Sequence, residues 1–145
     1  MSVIKYLAFA CAIALAVPLA MAADATRSAD MTTIIVDDSG KPVPDPSARA
    51  ADDADCSKCK PLTVGHIVSL ALNGSYEDEK ELGWQLRYDR SFLARKIRDD
   101  PHAALDGGEV DMIEKLLGKA RIGGVVLLQV IDTIDPNVGA KKAKP

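Results

Sequence analysis

Side chains that commonly build reaction centres are scarce in this chain. Among 145 residues there are two histidines, three cysteines and one tryptophan. His66 and His102 are the only histidines available to complete a Cys2His2 zinc set, and their separation fits no standard finger. No histidine follows the cysteine pair, so Cys56-Ser57-Lys58-Cys59 is not a c-type haem attachment site. There is no G-x-S-x-G, and Ser69 lies between apolar residues, so nucleophilic hydrolysis finds no support. An excess of basic residues is missing too. Lysine and arginine number 18 against 21 aspartates and glutamates, which gives no electrostatic case for binding nucleic acid or an anionic membrane.

Long apolar runs are limited to the N-terminus. Lys5 supplies a positive start, Tyr6 to Val17 is apolar, and Ala20-Met21-Ala22 is an A-x-A cleavage site behind the helix-breaking Pro18. The run is shorter than the roughly 20 residues of a spanning helix. Residues 1–22 are therefore expected to be a cleaved secretory signal, which places the mature protein in the periplasm or outside the cell with no membrane span left. Cleavage removes Cys11 and Lys5, leaving 17 basic against 21 acidic residues, a net charge of −4. It also leaves an even pair of cysteines suited to an oxidising compartment.

The mature chain divides by composition. Residues 23–60 are rich in Ala, Asp, Ser, Thr and Pro and are expected to form a disordered leader. It is interrupted by the β-prone Thr32-Thr33-Ile34-Ile35-Val36 and the turn signal Asp37-Asp38-Ser39-Gly40-Lys41-Pro42. With Val43 starting a return strand, this predicts a short β-hairpin over 32–44, which must lie on the helical part to persist.

Residues 61–136 are expected to form the folded domain. Apolar positions 64, 67, 68, 71 and 72 make a helical stripe, capped by Thr63 and ended by Asn73-Gly74. A second helix is expected from Ser75 as cap through Glu77-Asp78-Glu79 to Ile97, with Leu82, Leu86, Phe92, Leu93 and Ile97 inward and Arg87, Arg90, Arg95, Lys96 and Arg98 outward. Pro101 stops it. Asp106 and Glu109 have capping-box spacing before a third helix with Val110, Ile113, Leu116, Leu117 and Ala120 inward. The apolar run 125–131 fits a buried strand or a buried helix; helix is preferred, because a strand there has no evident partner. Residues 137–145, with Lys141, Lys142 and Lys144, read as a basic flexible tail. The expected fold is mainly α, a small three- to four-helix bundle behind the leader.

Several stretches together resemble a group of small phage- and prophage-encoded helical proteins. They are Leu62-Thr63-Val64-Gly65 opening a helix with Ala71-Leu72, Leu93-Ala94-Arg95-Lys96-Ile97, Gly108 to Ile113, and Val126 to Ile134 closing on Asp135-Pro136. The turn Asp37 to Pro42 is similar to their N-terminal turn. The resemblance implies a helical interaction protein without a known activity. This chain departs from the group in its signal peptide and its Cys56/Cys59 pair, and export argues against a cytoplasmic assembly role.

Few residues remain as site candidates. Cys56 and Cys59 fit a structural disulfide, a redox pair, or metal and intermolecular bonding. Lys58, Lys60 and the helix from Thr63 favour a lowered thiol pKa, but a thioredoxin-like pair needs a preceding strand in a βαβ unit. Asp99, Asp100, Asp106 and Asp111 sit at loop, cap or first-turn positions where acids are structural or solvated. Trp84 reads either as an edge of the core, the preferred assignment, or as an exposed anchor; with Arg87, Tyr88 and Arg95 it forms the candidate partner-binding set. The sequence thus predicts an exported, non-enzymatic protein without cofactor that binds another protein, the alternative being a periplasmic thiol–disulfide or metal-binding protein.

Overall fold

A computed structural model describes residues 26–48, 56, 58–79 and 83–138. The expected signal sequence, most of the expected tail and Leu82 lie outside these residues. The elements in order are β1 (Arg27–Ser28), α1 (Val64–Asn73), α2 (Trp84–Asp99), β2 (Ala104–Leu105), α3 (Gly107–Lys119) and α4 (Gly124–Ile134). The protein is mainly helical, as its periodicity predicts.

Local chemistry sets the helix ends. The Thr63 hydroxyl accepts from the His66 amide at the start of α1, and Gly74 closes the helix with its amide on the Ala71 carbonyl. At α3 both halves of the capping box form: the Asp106 carboxylate accepts from the Glu109 amide at 2.8 Å, and the Glu109 carboxylate accepts from the Asp106 amide at 3.0 Å. The ambiguous run 125–131 is helical and ends where Asp135 caps it. Val64, Val68, Leu72, Ile97, Ile113, Leu117, Val130 and Ile134 meet in one core shared by all four helices.

The second helix departs from expectation. Glu77–Glu79 is a single 3-10 turn, and α2 starts only at Trp84, behind Gly83. The cause lies at Glu79, which turns inward to meet Arg90 and Lys119 instead of lining an exposed first turn. Arg90 is correspondingly buried, 6% exposed, although the sequence places it outside. Phe92, expected in the core, faces outward.

The leader also differs. Residues 26–48 form an arm laid over the helices. β1 pairs antiparallel with β2, Arg27 opposite Leu105, and Arg27 reaches the buried Asp135 at 2.7 Å. The arm inserts Ala29, Met31 and Ile35 into the core, the last with no exposed surface. Composition predicts disorder because it averages over these three apolar side chains.

The hairpin forms around the bridge Val36↔Pro42, with Gly40 at φ +78°, a conformation that glycine adopts without strain. It is held by a closed ring of backbone hydrogen bonds. The Ile35 amide donates to the Leu62 carbonyl at 2.9 Å, the Leu62 amide to Val43 at 2.7 Å, and the Val43 amide to Ile35 at 2.9 Å. From α4, Gln129 grips Val36 at both ends, accepting from its amide at 3.0 Å and donating to its carbonyl at 2.7 Å. The arm crosses α1 where a β-carbon on Gly65 would stand 3.0 Å from Met31, so any larger residue there would press against the arm.

Candidate interaction surface

An α-helix turns about 100° per residue, so positions i, i+4, i+8 and i+11 fall along one stripe. On α2 that stripe is Trp84, Tyr88, Phe92 and Arg95. The core-facing residues Leu93 and Ile97, with the buried Arg90, occupy the other side. The stripe therefore points away from the chain's own interior. Trp84 is 75% exposed, Tyr88 60% and Phe92 50%. The assignment of Trp84 to the core is thus corrected: its neighbour at the fourth position is Tyr88, also outward, and both lie across the helix from Leu93.

The three rings form a ladder. Trp84 meets Tyr88 edge-on at 6.4 Å between centroids, and Tyr88 stacks near-parallel with Phe92 at 6.5 Å. Arg95 lies over Phe92, its guanidinium carbon 5.6 Å from the ring centre. Of the residues expected to bind a partner, Trp84, Tyr88 and Arg95 come together, and Arg87 sits on the flank. Phe92 is the member that sequence reasoning missed. A signal existed: Phe92 and Leu93 are adjacent, so both cannot occupy the centre of one face, and Phe92 continues the spacing of Trp84 and Tyr88.

Beside the ladder, the seam between α1 and α2 is hollow. A cavity of about 450 Å³ includes Gly74, Tyr76, Arg87 and Ser91. It shares Asn73 and Ser91 with a second, of about 470 Å³, bordered by Tyr88, Phe92 and Arg95. That one shares Ser69 and Arg98 with a third, of about 310 Å³, at His66 and Pro101. Through these shared residues the three adjoin along the α1–α2 seam, and the groove is the row they make. Small side chains line the middle of this seam, Ser69 and Asn73 on α1 and Ser91 and Ala94 on α2, while Met31, Gly65, Ile97 and Pro101 make its lower end largely apolar.

A buried ionic cluster fixes the upper end of the groove. Arg90 donates from Nε to the Leu72 carbonyl at 3.0 Å and from its terminal nitrogens to the Gly74 carbonyl and the Glu79 carboxylate. Two carbonyls left over at the end of α1 are thereby satisfied. Lys119 of α3 meets Glu79 at 2.7 Å and Asp78 at 2.8 Å, and both cations lie against the Tyr76 ring. Burial pushes the Glu79 carboxyl up, but the bonds from Lys119 and Arg90 outweigh it and hold its pKa below the ordinary value. Asp78 is lowered by its bond to Lys119. Lys119 is raised in turn by Asp78 and Glu79, while burial raises the Tyr76 phenol.

Two other groupings bear on chemistry. Cys56 and Cys59 are joined as a disulfide with their α-carbons 5.0 Å apart, and Cys56 has φ +53°. No helix begins at the pair, since α1 starts at Val64. Asp45, Ser47 and His66, which the sequence did not associate, meet nearby. His66 Nδ1 is 3.4 Å from Asp45, and Nε2 is 3.4 Å from the Ser47 hydroxyl. That hydroxyl lies 2.7 Å from the Asp45 carboxylate and donates there. Its single proton is directed to Asp45, so the three close into a triangle instead of a relay that draws the proton toward histidine. Burial pushes the Asp45 carboxyl up, but the Ser47 hydroxyl and amide, with His66, hold it below its usual value.

His102 is exposed on the loop after α2 and lies 3.6 Å from Asp30. Asp99 and Asp100 are exposed at the end of α2, Asp106 caps α3, and Asp111 is exposed on it. Among the described residues no group of three His, Cys, Asp or Glu is placed to hold a metal ion, and no helix is long and apolar enough to cross a membrane. The chain matches no known family model, no curated protein and no solved structure.

Proposed function

We propose that this chain is an exported binding protein without catalytic activity, and that the outer face of α2 is where it holds another protein. One observation carries the reading: three aromatic rings stand in register on the side of α2 opposite the core, each with half or more of its surface exposed. Aromatic and arginine side chains supply most of the energy at protein interfaces. Covering the exposed parts of Trp84, Tyr88 and Phe92 removes on the order of 400 Å² from water, a gross gain of about 10 kcal/mol. Association costs about 4 kcal/mol or more. The balance corresponds to binding in the micromolar range or weaker unless further contacts add to it. The export signal supports a partner outside the cytoplasm, and the phage-like resemblance is consistent with an interaction role. The cysteine pair is a staple in this reading, away from any helix start that would activate a thiol.

Affinity capture from a periplasmic extract of the source cell, with mass spectrometry of what is retained, tests it. Trp84→Ala/Tyr88→Ala should lose the partners that the parent protein retains, with an unchanged circular dichroism spectrum. Cys56→Ser/Cys59→Ser should keep them. Retention of every partner by the aromatic variant, or loss only in the cysteine variant, overturns the reading and favours the thiol alternative.

A further inference from the structure

We propose that the occupant of this surface is an acidic polypeptide segment bound in extended form along the α1–α2 groove. This rests on the binding role just described and adds the chemistry and shape of the partner.

Charge is the first argument. Three arginines, Arg87, Arg95 and Arg98, border the groove, although the chain as a whole is acidic. Arg95 is engaged by the Phe92 ring, and Arg98 meets Asp99 in an exposed pair at 3.2 Å. Exposed pairs of that kind are worth about 0–1 kcal/mol and are readily exchanged. The acids facing the same channel are Glu77 and Glu79 at its upper end, and Glu79 is already held by Arg90 and Lys119. The middle and lower groove is therefore positive. A second copy docking by the same face would bring three arginines against three, which disfavours self-association there and favours an anionic partner.

Shape is the second argument. From Arg87 to Arg98 is eleven residues of helix, about 16 Å at 1.5 Å per residue. An extended segment of about five residues spans that distance. Extended backbone brings amides and carbonyls that need partners once buried. The groove floor offers the hydroxyls of Ser69 and Ser91 and the Asn73 side chain, which is exposed and donates to the Ser69 carbonyl at 2.8 Å. A helix would present no backbone groups to these three side chains. Tyr88 and Phe92 form one wall, against which apolar side chains of the segment pack while its carboxylates reach the arginines.

The probe is a fluorescent nine-residue peptide of three Glu-Pro-Leu repeats, which proline keeps from becoming helical. It is compared with the Gln-Pro-Leu analogue, with a helix-forming peptide of equal charge, and with phosphatidylglycerol vesicles. Anisotropy titration of the mature protein should show saturable binding of the Glu peptide, about tenfold or more tighter than the Gln analogue, and weakened by high salt. Arg87→Ala/Arg98→Ala should weaken it about tenfold, whereas Arg121→Ala, exposed and away from the groove, should leave it unchanged. The proposal is overturned by equal binding of the Gln analogue, by tighter binding of the helical peptide, or by vesicle binding without peptide binding. Captured partners that depend on Trp84 together with an inert Glu peptide would sink this proposal and leave the binding role standing.

Discussion

Replacing Arg90 with alanine removes the centre of the cluster that joins the end of α1 to the 3-10 turn. Its guanidinium satisfies the Leu72 and Gly74 carbonyls, pairs with Glu79 and lies 5.4 Å over the Tyr76 ring. Each orphaned carbonyl costs about 1 kcal/mol, and breaking a buried ion pair from one side costs about 3–5 kcal/mol. Lys119 remains on Glu79, so that carboxylate is not abandoned. We expect Arg90→Ala to lose about 3 kcal/mol, a large share of the 5–15 kcal/mol that holds a typical domain. Arg90→Lys should lose about 2 kcal/mol, because one ammonium cannot serve three acceptors set in a fork. Urea unfolding followed by far-ultraviolet circular dichroism measures both. Trp84 fluorescence is the wrong probe, since that indole is already in water in the folded state. A loss below about 1 kcal/mol for Arg90→Ala would refute the view that this buried arginine organises the end of α1.

Acid should destabilise the protein through Glu79 in the same cluster and through Asp45 in the triangle with Ser47 and His66. The folded pKa values of Glu79 and Asp45 lie below their ordinary ones, so each contributes stability that is present above its unfolded pKa. That contribution is lost as pH falls through the folded values, beginning below about pH 4.5. Urea midpoints measured from pH 7 to pH 2 should fall in that window, and Glu79→Gln should flatten the decline; an equal decline in the variant removes Glu79 as a cause. Gln129→Ala should cost about 1–2 kcal/mol by leaving both Val36 backbone groups without their partner. Hydrogen exchange at the Val36 amide should rise far more than in α3, and uniform acceleration across the chain would count against a local role.

The helices whose ends are written in local chemistry were legible. Thr63, Asn73-Gly74, Asp106 with Glu109, and Asp135 each mark a boundary that the structure shows, because a cap is decided within a few residues. The start of α2 was not, since Glu77-Asp78-Glu79 has the composition of a first turn. What overrides it is Lys119, forty positions away from Glu79. Arg90 was misplaced for the same reason: its partners come from α1 and the 3-10 turn, which periodicity along α2 does not register. In the arm the hairpin around Ile34-Ile35-Val36 is legible from its β-prone run and turn, but Ala29 and Met31 are not, because each stands among polar residues and gains value only against a core formed elsewhere. Of the candidate surface, Trp84, Tyr88 and Arg95 were named, but the groove beside them arises from two helices lying together and has no signature in either one.

The ring of hydrogen bonds among Ile35, Val43 and Leu62 has a bearing on solubility. Ile34-Ile35-Val36 is short, uncharged and β-prone, the kind of tract that recruits copies of itself into fibrils when its backbone is open. Here Ile35 uses its amide and carbonyl within the ring, and the Gln129 side chain occupies Val36 as a neighbouring strand would. The tract is thus sealed by its own chain, although Ile34 remains partly exposed. Without the Gln129 grip, the Val36 edge of this tract would lie open to pairing with another strand while the four helices stay folded.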